Sequence, residues 1–324
     1  MQFVASSPDS KMPPMEIAKR LLTHFQPPVC VSRFLAKLLP MPRFPISSLV
    51  PLMALLAGCV NPIGMIDRRQ NTSVKHAYTV TRNLTYTPGN WPEPVLGDLY
   101  RPRATHPAPA VLLVHGGGWT GKDGRWQMNP IAAKLAKRGY VVLNVTYRLA
   151  PRWTYPAPVE DLQEAVKWLR THAAENGVDP NRIATFGYSA GGYLAALTGL
   201  IEGPESSQIR AIVAGGAPSD LTFYPGGDLV PQFLGGTQQQ IPQRFKEASP
   251  VNYVTTNSPP MFIYHGTSDQ LVPPDHARAM IAALEKHRVP HATYWIKGRD
   301  HIAAFLLPGG SVDAAIDFLD QQMR

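Results

Sequence analysis

From residue 74 onward, short apolar runs alternate with longer segments whose apolar positions recur every three or four residues. Val74–Thr85 alternates polar and apolar positions as a half-buried strand does, and Pro94–Tyr100 follows as a second strand able to pair with it antiparallel. Ala110–His115, Tyr140–Val145, Arg182–Phe186, Ile209–Ala214, Pro260–Tyr264 and Ala292–Ile296 are dominated by apolar positions, the pattern of strands buried on both faces. Between them, Val159–Ala174 sets Val159, Leu162, Val166 and Leu169 on one helical face. Glu160 and Asp161 stand in its first turn, where the helix dipole favours acids. Ala190–Leu200, Asp275–Lys286 and Ser311–Gln322 read as further helices. This alternation predicts an α/β fold: a mostly parallel central sheet, antiparallel N-terminal strands and helices on both faces, in one domain over 72–324. Pro218–Pro259, rich in Gly, Pro and Gln, breaks the alternation and is expected to be an excursion over one sheet face, too short for an independent lid.

Composition changes this picture mainly upstream. Half of the net charge of +8 falls within residues 1–58, and the later basic residues are scattered singly rather than in a run that would track phosphates. No nucleic-acid partner is therefore expected. The two cysteines, Cys30 and Cys59, both precede the strand pattern, so a disulfide framework inside the domain is excluded. No H-E-x-x-H or H-x-H spacing occurs, which leaves a metal centre or other cofactor without support.

Residues 41–59 carry a second signal. Arg43 precedes the apolar stretch Ile46–Ala57, and small residues lead into Cys59, the layout of a secretory leader. Leu56-Ala57-Gly58-Cys59 resembles the lipobox of bacterial lipoproteins. The resemblance implies cleavage before Cys59, lipid on its sulfur and an envelope location facing the periplasm or the surface, with Val60 favouring the outer membrane. Without that leader a cytoplasmic location is expected. The apolar stretch is shorter than the ~20 residues of a spanning helix. We expect Met41 to initiate the chain, residues 1–40 to be an upstream extension, disordered or targeting, 41–58 the leader, and 59–71 a linker.

Two glycine-rich turns carry the chemistry. Gly187-Tyr188-Ser189-Ala190-Gly191-Gly192 joins the Arg182–Phe186 strand to the Ala190–Leu200 helix, the strand–turn–helix setting of a G-x-S-x-G nucleophile elbow. Side chains at 187 and 191 would collide with neighbouring backbone in so sharp a turn, and Ser189 is expected to be held strained with its hydroxyl clear of the sheet. A phosphate-binding turn fits less well, since neither G-x-G-x-x-G nor a Lys-Ser/Thr pair follows. Upstream, His115-Gly116-Gly117-Gly118-Trp119 follows the Ala110–Val114 strand. A glycine run lets backbone N–H groups approach a tetrahedral oxyanion without side-chain interference.

Together these motifs make the stretch from Ala110 to His301 similar to the HGGG-bearing α/β-hydrolase esterases, close to the hormone-sensitive-lipase-like group and its bacterial carboxylesterase relatives. Tyr147-Arg148-Leu149-Ala150-Pro151, Tyr155-Pro156-Ala157 and the Glu160-Asp161 helix are also similar to that group. The resemblance implies an α/β-hydrolase fold and an oxyanion hole of the Gly117, Gly118 and Ala190 N–H groups, supported by His115, Gly116, Gly187 and Gly191. Tyr188 departs from it, because the group usually has Asp there.

In this fold the chain order is nucleophile, acid, histidine. Of the ten histidines, His265, His276, His287, His291 and His301 follow Ser189. His301 stands in a loop past the last strand, where catalytic groups gather, and is the preferred base. The resemblance places the acid at Asp269. Asp275 is a rival that reads as a helix N-cap, and Asp300 adjoins His301 too closely in sequence. His115 and His265 are expected to brace their loops. The expected activity is serine carboxylesterase action on short-chain or aryl esters through an acyl-enzyme, with a small-molecule substrate and an undetermined oligomeric state. An arylformamidase-like amidase, a peptidase and a noncatalytic surface-binding protein remain as alternatives. Trp119, Trp153, Tyr188, Phe223, Tyr224 and Phe305 are candidate pocket aromatics. The short span between Cys59 and the Ala110 strand leaves no room for a large cap, which favours short acyl chains.

Overall fold

The computed structural model describes residues 76–104, 106–201, 209–224 and 226–323, all within the unit Asn61–Arg324. The expectations for residues 1–40, 41–58 and 59–71, Cys59 included, lie outside the described residues.

Ala108–Val114 (β3) shows why the sheet forms as it does. Ala110, Leu112 and Val114 belong to one core layer, while Val111 and Leu113 belong to the other, all fully buried. A two-sided apolar strand is stable only with helices on both faces, and each buried aliphatic side chain contributes about 1.5–3 kcal/mol. β3 is parallel to Val141–Val145 (β4) on one side and to Val178–Tyr188 (β5) on the other. Ile209–Gly215 (β6), Met261–Gly266 (β7) and His291–Ile296 (β8) continue the parallel array, and Tyr78–Thr85 (β1) and Leu96–Pro102 (β2) pair antiparallel at the other edge. The resulting order is β1-β2-β4-β3-β5-β6-β7-β8.

The helices divide between the layers. Ala157–Thr171 (α2), Ala190–Leu200 (α4) and Asp275–Lys286 (α7) pack their apolar stripes on the Leu112 side. Arg125–Lys137 (α1) and Ser311–Gln322 (α9) pack on the Leu113 side through Met128, Leu135, Ile316 and Leu319. The apolar pattern missed α1 because Pro130 lies inside it and reads as a breaker. The helix predicted over Val159–Ala174 is divided: α2 ends at Thr171, His172 caps it, and Ala173–Asn176 (α3) forms a separate turn closed by the left-handed Gly177. β5 starts earlier than its apolar core because Asp179, Pro180 and Asn181 continue the strand.

The Pro218–Pro259 excursion links β6 to β7 and contains two short helices, Leu229–Leu234 (α5) and Pro242–Glu247 (α6). Phe233 of α5 stacks on Trp119 at 4.5 Å and meets Tyr193 of α4 edge-on at 5.6 Å. The excursion is thereby seated on the glycine turn that follows β3. Among the described residues no helix is long and apolar enough to cross a membrane.

Candidate active site

Ser189 occupies the turn between β5 and α4 with φ 57° and ψ −127°, a left-handed conformation that costs a non-glycine residue about 1–3 kcal/mol. The surroundings enforce it. A Cβ on Gly187 would run into the Gly191 carbonyl, and one on Gly191 into the Val114 carbonyl, so only glycine closes the turn. The Ser189 amide donates to the Gly215 carbonyl at 2.8 Å, tying the turn to β6.

The serine hydroxyl lies 2.8 Å from His301 Nε2, and His301 Nδ1 lies 2.6 Å from Asp269 Oδ2. Three groups at the C-terminal ends of β5, β7 and β8 thus form one hydrogen-bonded series. His301 and Asp269 are both buried. The second carboxylate oxygen, Oδ1, accepts from the backbone N–H groups of Leu271 (3.0 Å) and Val272 (2.8 Å), which orients the acid towards the imidazole. With Asp269 as acceptor, Nδ1 carries the proton and Nε2 faces Ser189 as a base, the tautomer that proton abstraction requires.

His301 is the first residue of a short helix, His301–Leu306 (α8), rather than a loop residue as expected. Asp300 caps that helix, its carboxylate accepting from the Ala303 N–H at 2.8 Å, and so is engaged away from the imidazole. Asp275 is not an N-cap either. Pro274 holds that position, and Asp275 is the first residue of α7, exposed and paired with Arg278 at 2.8 Å. The other downstream histidines are placed elsewhere: His287 caps α7, His291 lies in β8, and His276 is buried beside Tyr224.

His115 and His265 brace loops. His115 Nδ1 lies 2.6 Å from the Gly116 carbonyl, Nε2 accepts from the Gly124 N–H at 3.3 Å, and the ring stacks on Tyr147 at 4.7 Å. His265 donates from Nε2 to the Val272 carbonyl at 2.8 Å, closing the Asp269 turn. Burial pushes both imidazoles below their usual range, so both are neutral at pH 7.

The glycine turn runs beside the serine. A Cβ on Gly116 would stand 3.2 Å from Ser189 Cβ, and Gly117 and Gly118 have φ of 116° and 63°. Ala190 opens α4, so its N–H has no intrahelical acceptor. The Tyr147–Pro151 segment supports this turn: the Ala150 N–H donates to the Trp119 carbonyl at 2.9 Å and the Tyr147 hydroxyl to the His115 carbonyl at 3.2 Å. Its own anchor is the buried Arg148–Asp161 pair, Nε to Oδ1 at 2.7 Å, with the Arg148 N–H donating to Oδ2 at 2.7 Å.

A cavity of about 190 Å³ opens at Ser189, walled by Gly118, Trp119, Tyr224, Leu229, Leu271 and Val272 among others. Of the candidate aromatics, Trp119 and Tyr224 reach it. Tyr188 and Phe305 pack beside the base, Trp153 lies under Arg148 and Arg152, and Phe223 leans on His276. Leu229 and Leu271 were not found from the sequence, because Leu229 opens a helix of only six residues and Leu271 lies in a turn, too short for either to show periodicity. Among the described residues no group of three His, Cys, Asp or Glu side chains could hold a metal ion.

The family described as BD-FAE matches residues 97–284. Esterase LipQ of Mycobacterium tuberculosis is 33% identical over 222 residues, covering 63% of this chain and 52% of that protein. The chain spans about half the length of the curated relatives it matches. A truncated carbohydrate esterase from gut microbiota superimposes with a TM-score of 0.69 at 22% identity, over 77% of this chain and 98% of that one. Esterase 2 of the planctomycete Thermogutta terrifontis, in its butyrate-bound structure, does so with a TM-score of 0.61 at 26% identity, over 77% and 95%. The architecture is that of the α/β-hydrolases.

Proposed function

The chain belongs to the BD-FAE family, and from that premise we propose that it is a serine carboxylesterase acting on short-chain or aryl esters through an acyl-enzyme. The reading rests above all on the continuous Ser189–His301–Asp269 series of hydrogen bonds beside an open glycine turn. His301 Nε2 takes the Ser189 proton as Oγ attacks the ester carbonyl. The N–H groups of Gly117, Gly118 and Ala190 hold the oxyanion, and the imidazolium, stabilised by Asp269, then protonates the leaving alcohol. Water repeats the sequence on the acyl-serine and releases the acid.

Cavity size supports the short-chain part. About 190 Å³ is small against the roughly 300–1,000 Å³ of drug-sized ligand sites, and the walls are mostly apolar. The related Thermogutta enzyme was solved with butyrate bound. Residues 41–59 add a lipid anchor at Cys59 and a bacterial envelope location to the proposal. The test is hydrolysis of 4-nitrophenyl acetate, butyrate, octanoate and laurate by the full chain, beside Ser189→Ala. Turnover highest at short acyl chains and lost in the variant is expected. No ester turnover by the folded wild type would refute the activity. The anchor is tested separately, by release of the protein from the membrane fraction in Cys59→Ser.

A further inference from the structure

The catalytic base sits on a short element whose start is held by the Asp300 cap, by the Ser268 N–H donating to the Arg299 carbonyl at 3.0 Å and by the His301 bond to Asp269, with little apolar packing beyond them. Of the six residues of α8, only His301 and Ala304 are buried, while Ile302 and Leu306 are 60% and 67% exposed. Core packing of that extent does not fix a one-and-a-half-turn helix, since isolated helices so short are unstable in water. Yet its first side chain must stay within hydrogen-bond reach of Ser189, and small displacements at a reacting centre are costly to rate.

A further restraint, on the helix itself, comes from the residue before the nucleophile. The Tyr188 side chain leaves β5 and passes under α8, where its hydroxyl donates to the His301 carbonyl at 2.7 Å. Its ring lies 5.2 Å from the imidazole and 5.0 Å from the ring of Phe305, one turn further along the same helix. Tyr188 therefore grips α8 at two positions on one face. The socket is built for it: a Cβ on Gly216, which has φ 50°, would stand 2.8 Å from the Tyr188 ring, and Tyr264 supports the ring at 5.7 Å. Burial pushes the phenol above its usual range, which keeps the hydroxyl a donor at neutral pH.

We propose that Tyr188 is the positioning residue of the base, holding α8 so that the His301 imidazole stays in register with Ser189. The nucleophile and the group that anchors its base are then adjacent in the chain, Tyr188 ending β5 and Ser189 forming the turn after it, which couples the position of the base to that of the serine. This inference rests on the proposed role of His301, and its test separates the two.

Tyr188→Phe keeps the ring and removes the hydroxyl; Tyr140→Phe, which loses a hydroxyl bond to Asp320 at the opposite end of the sheet, is the control. Two readouts are compared in the full chain: kcat and KM on 4-nitrophenyl butyrate, and the far-downfield proton NMR signal of His301 Nδ1–H in its short bond to Asp269. Tyr188→Phe is expected to lower kcat about tenfold, as loss of one neutral hydrogen bond felt at the transition state would. KM should stay within about twofold of wild type, as for an interaction that does not bind substrate. The NMR signal should shift or broaden, the melting temperature should fall by no more than a few degrees, and Tyr140→Phe should match wild type in both readouts. An unmoved signal, or full turnover despite a moved one, overturns the proposal. Should the wild type turn over no ester at all, the esterase reading fails, and the resting-state signal decides the Tyr188 proposal alone.

Discussion

Replacing Arg148 by Met tests whether the buried pair beneath the glycine turn is structural support of the kind described. The Arg148 and Asp161 side chains are 3% and 0% exposed. The guanidinium also donates to the Ala157 carbonyl at 3.0 Å and lies against Trp91 and Trp153 at 5.4 and 5.0 Å. Arg148→Met keeps much of the apolar stem but strands the carboxylate, and breaking a buried pair on one side costs about 3–5 kcal/mol. The lower end applies. Burial already pushes the Asp161 carboxyl above its usual range with Arg148 in place, and loss of the cation moves it further the same way. Trp91 Nε1 still donates to it at 2.7 Å. A loss of about 3 kcal/mol in a domain of this size corresponds to a fall in melting temperature of roughly 6–12 °C. Calorimetry at pH 7 measures it. The double variant Arg148→Met/Asp161→Leu should regain only part of the loss, because the stranded carboxylate is gone but the backbone N–H at 148 and Trp91 Nε1 lose their acceptor. An Arg148→Met protein melting within about 2 °C of wild type would refute the reasoning.

Three further outcomes follow from the geometry. Burial lowers the His276 imidazole to about 4 from its ordinary ~6.5, so the unfolded chain binds a proton that the folded one refuses. Its stability contribution is complete above pH 6.5 and drains away as pH falls towards 4, by up to about 3 kcal/mol. Urea midpoints of the wild type should therefore drop more steeply between pH 7 and 4.5 than those of His276→Phe, and parallel curves would contradict this. Leu229 lies 3.1 Å from where a Gly118 Cβ would stand, so Leu229→Ala should deepen the cavity and move the 4-nitrophenyl ester optimum to longer acyl chains. An unchanged profile would remove Leu229 from the pocket wall. Asp269→Asn should lower kcat by about 10⁴ while the protein remains folded, since the imidazole loses the acceptor that sets its tautomer; near-normal turnover would argue for another acid.

Legibility in the sequence followed locality. Gly187–Gly192 and His115–Gly118 are contiguous, so residue types alone identify them, although a Cβ on Gly191 or Gly116 would meet atoms of the other turn or of the strand before it. The two-sided strands were equally readable, because burial on both faces leaves an uninterrupted apolar run at Ala110–Val114. Helix α1 was not, since Pro130 suppressed a pattern that packing of Met128 and Leu135 overrides. Asp269, Asp275 and Asp300 could be ranked but not separated by spacing. Their difference lies in what each carboxylate touches: the His301 imidazole, the Arg278 guanidinium and the Ala303 amide.

By itself, then, the sequence determined the sheet class and marked the Gly187–Gly192 and His115–Gly118 turns, because residue types and strand periodicity are written into consecutive residues. Only the tertiary structure decided the walls of the cavity, the seating of the excursion on Trp119 and the reach of Tyr188 to a carbonyl 113 residues away. Those contacts join separate elements, and their geometry follows from how the sheet orders β5, β6, β7 and β8, which no stretch of consecutive residues encodes.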